Sequence, residues 1–182
     1  MPYPTSTSTF DLYREGETTL EIAAMIRMVL VVRGFRARLD ERLRAINQSS
    51  ARMETLSAII NMQGPVSQSD VARRLRVEGA TVTRMVDLLS KEGLVERSPH
   101  PSDRRVNLLR VTDKGEVELR RIFRVYDSTR TELLTEFTHE EIEQVHLLTG
   151  KMLAQLDTMS STGLDNAEMQ IGDLPPRDRL RD

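Results

Sequence analysis

Residues 64–115 read GPVSQSDVARRLRVEGATVTRMVDLLSKEGLVERSPHPSDRRVNLLRVTDKG, a run that begins with two helical patterns. The first predicts a short helix over 67–75, because its opening letters SQSD form a capping box, in which a hydroxyl and a carboxylate satisfy two backbone donors. After a break, apolar residues at helical spacing predict a second helix over 80–92, which Gly93 ends. Two short helices joined by a tight turn are typical of a helix-turn-helix unit.

The hydrophobic period then shortens from that of a helix to that of a strand. Residues 94–97 and 106–111 predict two short strands, and the polar, proline-containing segment 98–105 predicts the loop between them. A further apolar-faced helix is predicted over 51–62, where a Gly-Pro pair stops it. Three compact helices followed by a β-ribbon form a winged helix, so we expect a winged helix-turn-helix DNA-binding region over 51–112.

Long helical patterns flank this core on both sides. Apolar residues at helical spacing predict one helix over 18–48 and two more over roughly 113–137 and 139–158, the last opened by a second capping-box pattern. These helices are too extended to be covered by so small a core, and a second copy of the chain is the simplest partner. We therefore expect a mainly α fold with a small β-ribbon, in which 18–48 and 113–158 supply N- and C-terminal dimerisation helices.

Composition limits the class of protein. The 182 residues are 38% hydrophobic and 30% charged, which is typical of globular proteins rich in helix formers, and no window is apolar enough to span a membrane. The chain has no cysteine, which removes disulfides and thiolate chemistry and fits a cytoplasmic location. We expect residues 1–17 to form a flexible leader without an export signal and residues 159–182 to form a disordered tail.

Charge is distributed unevenly along the chain. Residues 66–111 contain nine basic and six acidic side chains, a net charge of +3, whereas the whole chain has a net charge of −2 and the remainder therefore −5. A basic segment in an acidic frame attracts phosphate locally without making the protein a general polyanion binder. This distribution favours a nucleic-acid reader.

The helix predicted over 80–92 is the candidate for reading bases in the major groove. If its apolar stripe faces the core, Thr81, Thr83 and Arg84 face outward. The guanidinium of Arg84 can pair bidentately with O6 and N7 of guanine, and a threonine offers a hydroxyl and a methyl group. The alternative is that Arg84 is a solvated surface charge, paired with Asp87 or Glu78.

Phosphate contacts are expected at the start of the helix predicted over 67–75. Ser67, Gln68 and Ser69 lie there, where free backbone donors and the helix dipole favour an anion. The alternative role of these residues is simple capping of the helix. Both roles are compatible, because capping uses a single hydroxyl.

The loop over 98–105 is the predicted wing. Arg104 and Arg105 at its far end can enter a narrow minor groove, where the negative potential is strongest. Asp103 precedes them, and we expect its carboxylate to hold the turn by accepting a hydrogen bond from a backbone donor or a guanidinium. The alternative is a solvated, charged hairpin tip.

The segment 64–115 resembles the winged-helix core of the MarR family of regulators. The pattern T-x-T-R-x-x-D-x-L-x-x-x-G-L-V-x-R occupies 81–97, S-D-R-R follows at 102–105, and V-T-D-K-G occupies 111–115. Several motifs in register over about fifty residues make the resemblance specific. Placement of the flanking helices extends it over residues 18–158.

The resemblance implies a two-fold symmetric homodimer that binds a palindromic operator in double-stranded DNA, expected to act as a repressor. By position it implies that Arg84 reads the major groove beside Thr81 and Thr83, and that Arg104 or Arg105 is the minor-groove arginine. It also implies release by a small molecule, often aromatic or phenolic. No short motif defines the effector cleft, so no effector-binding residue is assigned.

Three other classes of function remain as alternatives. A metal-sensing regulator would use His139, Glu143 and His146, which share one helical face, although acidic residues in a first turn also suit the helix dipole. A protein-binding winged helix without DNA affinity would tolerate the loss of Arg84 and Arg105. Little favours an enzyme, because no phosphate loop, nucleophile elbow or Cys/His pair is present. No cofactor or resident metal is expected.

Overall fold

The computed structural model describes residue 12 and residues 16–62, 64–103 and 105–159 of the chain. The chain divides into two compact units, residues 1–134 and 135–182. In chain order, the helices and strands are α1 (Leu20–Arg44), α2 (Ser50–Asn61), β1 (Val66–Ser67), α3 (Gln68–Leu75), α4 (Gly79–Lys91), β2 (Val95–Pro99), β3 (Asn107–Val111), α5 (Asp113–Leu133) and α6 (His139–Thr158). The expectations for 1–11 and 160–182 lie outside the described residues.

Hydroxyl side chains cap the helices where the sequence predicts it. The Ser67 hydroxyl accepts from the backbone N–H of Asp70, and the Asp70 carboxylate accepts from the backbone N–H of Ser67, which confirms the first capping box. Thr138 and Glu141 form the second in the same way. Each cap stabilises its helix by about 1 kcal/mol and fixes where the helix begins.

The sheet has one strand more than the sequence predicts. Its order is β1-β3-β2, with all pairs antiparallel, and the β2–β3 ribbon runs in register from Val95 opposite Val111 to Pro99 opposite Asn107. The predicted two-stranded ribbon is present as β2 and β3, and β1 adds a third strand that the sequence does not predict. Two residues that follow a Gly-Pro pair are too short to show the alternation by which a strand is recognised from sequence.

Several predicted helix boundaries also shift. The first helix ends at Arg44 and not at residue 48, because the chain turns through Asn47, whose φ is 57°. Helix α5 ends at Leu133 and not at residue 137. Helix α4 begins at Gly79, one residue earlier than predicted. Such shifts are ordinary, because the hydrophobic period marks the middle of a helix better than its ends.

The core of the first unit lies where α2, α3, α4 and the sheet meet the second half of α1 and the first half of α5. Leu39 and Leu43 enter it from α1, and Val82, Val86 and Leu89 enter it from α4. The α4 residues are the predicted apolar stripe, and their burial turns the opposite side of α4 to solvent. The fold thereby fixes which residues of α4 are available to a ligand.

Apolar surface remains uncovered in each unit. In the first unit, α1 exposes Leu20, Met25 and Leu30 by more than half of their surface. Gly34, also on α1, has nothing within 4 Å of the position of an added Cβ. No described atom of this chain therefore packs closely enough against residue 34 to require a glycine there. In the second unit, no residue of α6 is buried. No described helix is long and apolar enough to cross a membrane.

Candidate nucleic-acid interface

Arg84 lies on the outward side of α4. Thr81 and Arg84 are both exposed, as predicted. The Arg84 guanidinium forms no hydrogen bond or ion pair with any described residue. The alternative pairing with Asp87 is absent, because that carboxylate bonds to the guanidinium of Arg97 on β2. Arg84 therefore presents its donors to solvent.

Thr83 is arranged differently from Thr81. Its hydroxyl lies 3.0 Å from the carbonyl oxygen of Gly79 and 3.2 Å from the side-chain oxygen of Gln68. A hydroxyl has a single proton, and a threonine inside a helix often donates it to the carbonyl four residues earlier. The structure thus brings two predicted site residues together, Gln68 and Thr83. It leaves the Thr83 methyl group as the free part of that side chain.

The start of α3 separates a capping residue from an exposed one. The Ser67 hydroxyl donates to Asp70 Oδ2 at 2.6 Å and accepts from the Asp70 N–H at 3.2 Å, so the cap occupies it fully. The bonds from the Ser67 hydroxyl and backbone hold the pKa of the Asp70 carboxyl below its ordinary value. Ser69 is exposed, and its hydroxyl bonds to no described residue. Of the three predicted residues, Ser69 is thus the one with a free hydroxyl.

Asp103 closes the turn of the wing. Its Oδ1 accepts from the backbone N–H of Arg105 at 3.0 Å, and its carbonyl accepts from the N–H of Val106 at 3.0 Å. A second bond, from the N–H of His100 to the Val106 carbonyl at 2.9 Å, continues the ribbon toward the tip. The geometry matches the turn-holding role expected of Asp103. Arg105 is exposed, and Arg104 lies outside the described residues.

Two ion pairs around α4 and the wing were missed by sequence reasoning. Arg97 of β2 bonds to Asp87 of α4, and Arg110 of β3 bonds to Glu96 of β2 across the ribbon. The first pair ties the base of the wing to the side of α4. It also pairs the Asp87 carboxylate, so the negative charge of Asp87 on α4 is balanced by a guanidinium.

The carboxyl end of α4 is held from two sides. Glu92, its C-cap residue, accepts two hydrogen bonds from the guanidinium of Arg52 on α2, one at 2.8 Å, and Arg52 is only 8% exposed. The carbonyl of Glu92 accepts from Lys114 Nζ at 2.7 Å, and the carbonyl of Gly93 accepts from the Thr112 hydroxyl at 2.8 Å. The bonds from Arg52 lower the pKa of Glu92, although burial opposes the shift. The sequence offers one indication of this contact, which is the presence of Arg52 in a helix with an apolar face.

Two of the three residues of the metal-sensing alternative, His139 and Glu143, are in contact. His139 Nε2 lies 3.2 Å from Glu143 Oε1 at the start of α6. Within the described ranges, no three or more His, Cys, Asp or Glu side chains are grouped closely enough to hold a metal ion.

A cavity of about 310 Å³ lies between α1 and α5 in the first unit. Arg42 crosses it, donating to the Thr129 hydroxyl at 3.2 Å and to the Glu132 carboxylate. The ring of Phe35 closes one side and meets Tyr126 edge to face, with ring centroids 5.8 Å apart. The cavity is therefore amphipathic, with an aromatic wall and a neutralised guanidinium.

The three-helix core, the ribbon and the outward arginine on the second helix of the pair define the winged helix-turn-helix class of transcription regulators. Residues 51–106 match the model of the MarR family, which confirms the resemblance stated from the sequence. Residues 51–106 are thus similar to the winged-helix domain of the MarR family.

Solved structures agree with this assignment. The transcriptional regulator PA3341 superposes with a TM-score of 0.66 at 29% identity, over 74% of this chain and 98% of that one. Wild-type MarR from E. coli in its apo form gives 0.62 at 25% identity, over 75% and 99%. A mutant MarR from E. coli complexed with operator DNA gives 0.65 at 24% identity, over 81% and 99%, which shows a shared fold.

Proposed function

We propose that this chain is a transcriptional regulator that binds a palindromic operator in double-stranded DNA as a homodimer. The observation that carries the proposal is the free guanidinium of Arg84 on the outward side of α4. A planar fork of donors, held on a helix that presents no other described charge partner to it, suits the two acceptors of guanine in the major groove. The basic balance of residues 66–111 supports the same ligand.

Each half-site would be contacted at three places. Arg84 and Thr81 read bases, the exposed Ser69 hydroxyl at the start of α3 contacts phosphate, and Arg105 on the wing enters the minor groove. The solved operator complex of a mutant MarR supports this ligand for the fold. The ion pair from Arg97 to Asp87 joins the base of the wing to α4, which places the two groove contacts on connected elements.

The homodimer is proposed from apolar surface that the single chain leaves uncovered. The first half of α1 exposes Met25, Val29, Leu30 and other large apolar side chains, and α6 exposes Met152 and several leucines. Surfaces of this extent are typical of interfaces between chains. A two-fold dimer would present two copies of α4 to successive major-groove faces of the operator.

Release by a small effector, and hence repression relieved by that effector, completes the proposal. The cavity between α1 and α5 supports it, because an aromatic wall beside Arg42 suits a small aromatic or phenolic molecule. Such a ligand would compete with Glu132 for Arg42 and so change the packing of α1 on α5.

Arg84→Ala is expected to abolish sequence preference at one guanine in each half-site. Losing a bidentate contact costs about 1–3 kcal/mol of discrimination, which corresponds to a change of about 5-fold to 150-fold in relative affinity at that position. The measurement is selection of bound duplexes from a random library, followed by titration of the selected operator at two salt concentrations. Wild-type protein should recover a palindrome with half-sites about 10 base pairs apart.

Arg124→Ala is the matched control, because Arg124 is an exposed arginine on α5 with no partner among the described residues. It should leave the selected sequence unchanged. Binding that depends on salt and is indifferent to both sequence and Arg84 would contradict the proposal. In that case, the protein-binding winged helix becomes the better interpretation.

Asp103→Ala is expected to weaken operator binding about threefold to tenfold without changing the selected sequence. The wing loses the hydrogen bond from the Arg105 N–H, and an average bond of this kind contributes about 1 kcal/mol. Asp103→Asn keeps an acceptor oxygen at the same position and should bind within about twofold of wild type. Equal losses in the two variants would show that the charge of Asp103, and not the turn it closes, matters for binding.

A further inference from the structure

Leu88 is an apolar side chain in a place where the proposed DNA ligand would meet it. It is 43% exposed and follows Arg84 by one turn of α4. Residues four apart on a helix lie on the same side, so Leu88 continues the row of outward side chains that begins with Thr81 and Arg84. Lys91 extends the row by one further turn. Leu88 is thus an apolar side chain within the row of α4 that would face the bases, and we ask which apolar group of DNA it would contact.

The space beside Leu88 is concave and largely apolar. A cavity of about 440 Å³ that is open to solvent is bordered by Leu88 and by Thr81, Arg84, Met85, Asp87 and Lys91. Burial of this surface removes apolar area from water and is favourable only against another apolar group. The edges of the bases in the major groove offer one such group, the C5 methyl of thymine.

Charge around Leu88 favours DNA as the occupant. The side chains of Arg84 and Lys91 on either side are exposed and bond to no described residue. The neighbouring carboxylate, Asp87, is neutralised by Arg97 and so does not repel phosphate. An apolar contact between two free cations is complementary to a thymine methyl group inside a polyanionic groove.

We propose that Leu88 is a specificity-determining residue that contacts the C5 methyl group of a thymine near the guanine read by Arg84. This inference rests on the proposed function and adds a second base to each half-site. The rise of 1.5 Å per residue separates the two side chains by about 6 Å along the helix, which is one or two base-pair steps. The expected half-site therefore contains a thymine within about two base pairs of that guanine.

Replacing thymine by deoxyuridine tests the contact, because the exchange removes only the C5 methyl group. In the selected operator, each thymine of a half-site is replaced in turn, and affinity is measured for wild type and for Leu88→Ala. Wild type should lose about fourfold at one thymine per half-site, the effect of one buried methyl group. With Leu88→Ala, thymine and deoxyuridine should bind alike at that position, while the preference for the guanine is retained.

Val117→Ala, which shortens an exposed aliphatic side chain on α5, is the matched control and should show the wild-type sensitivity. Leu88 is exposed, so its replacement should leave the melting temperature unchanged. Sensitivity to deoxyuridine that persists in Leu88→Ala overturns the inference. So does a wild type indifferent to every methyl group, although the proposed function stands if Arg84→Ala still loses its guanine. Absence of any sequence-selective binding by wild type overturns both.

Discussion

Gly115→Ala is expected to lower the free energy of unfolding by about 3 kcal/mol or more, a large loss for the addition of a single methyl group. A Cβ at Gly115 would lie 2.2 Å from the carbonyl oxygen of Leu94 and 2.7 Å from Val111 Cγ1. The carbonyl belongs to the backbone and already accepts from the Thr112 N–H at 3.0 Å, so it cannot move without breaking the junction between the sheet and α5. Overpacking of rigid surroundings costs about 1–3 kcal/mol, and more where backbone must shift.

Gly79→Ala is the matched control for this change. Gly79 also lies in the first turn of a helix of the same unit, and nothing comes within 4 Å of its added Cβ. Alanine is the better helix former, so this variant should be as stable as wild type or more stable by up to about 1 kcal/mol. Chemical unfolding at one fixed protein concentration measures both, because oligomers melt in a concentration-dependent way. Equal stabilities for the two variants would contradict the expected clash.

Local signals explain which parts of the fold could be predicted from the sequence. The capping boxes at Ser67 and Thr138 depend on residues three apart, and the outward position of Arg84 follows from the helical period of α4. A capping box and a helical period can each be recognised within a short stretch of sequence. The winged-helix order and the exposure of Thr81 and Arg84 are therefore predictable from the sequence alone.

What the sequence could not predict depends on contacts between distant residues. Strand β1 forms because Val66 pairs with Leu109, and the anchor of α4 joins Arg52 to Glu92 across forty residues. The helical period predicts an outward Thr83, but its hydroxyl reaches both its own helix and Gln68 on α3. Only the folded arrangement shows which of two plausible roles each of these side chains has.

Breaking the pair of Arg52 and Glu92 is expected to have unequal effects, depending on which partner is removed. Glu92→Ala removes the carboxylate partner of Arg52, a residue only 8% exposed in the wild type, and this loss should cost about 3 kcal/mol or more. Arg52→Met instead replaces the buried stem by an apolar chain of similar length. The remaining Glu92 side chain is 39% exposed and can be hydrated, so this loss should be nearer about 1 kcal/mol.

The pH dependence of unfolding separates this charge effect from simple loss of packing. Because Arg52 lowers the pKa of Glu92 below its ordinary value of 4.5, the pair stabilises the fold fully above that value. Its contribution is lost as pH falls through the lowered pKa of the folded state. The stability difference between wild type and Glu92→Gln, which keeps the shape without the charge, should therefore shrink progressively below about pH 4.5. A difference that is constant from neutral to acid pH would mean that Glu92 holds α4 by shape and hydrogen bonding alone. Glu92→Ala removes the contact that holds the carboxyl end of α4. Because α4 carries both Arg84 and Leu88, this variant should weaken operator binding as well as stability.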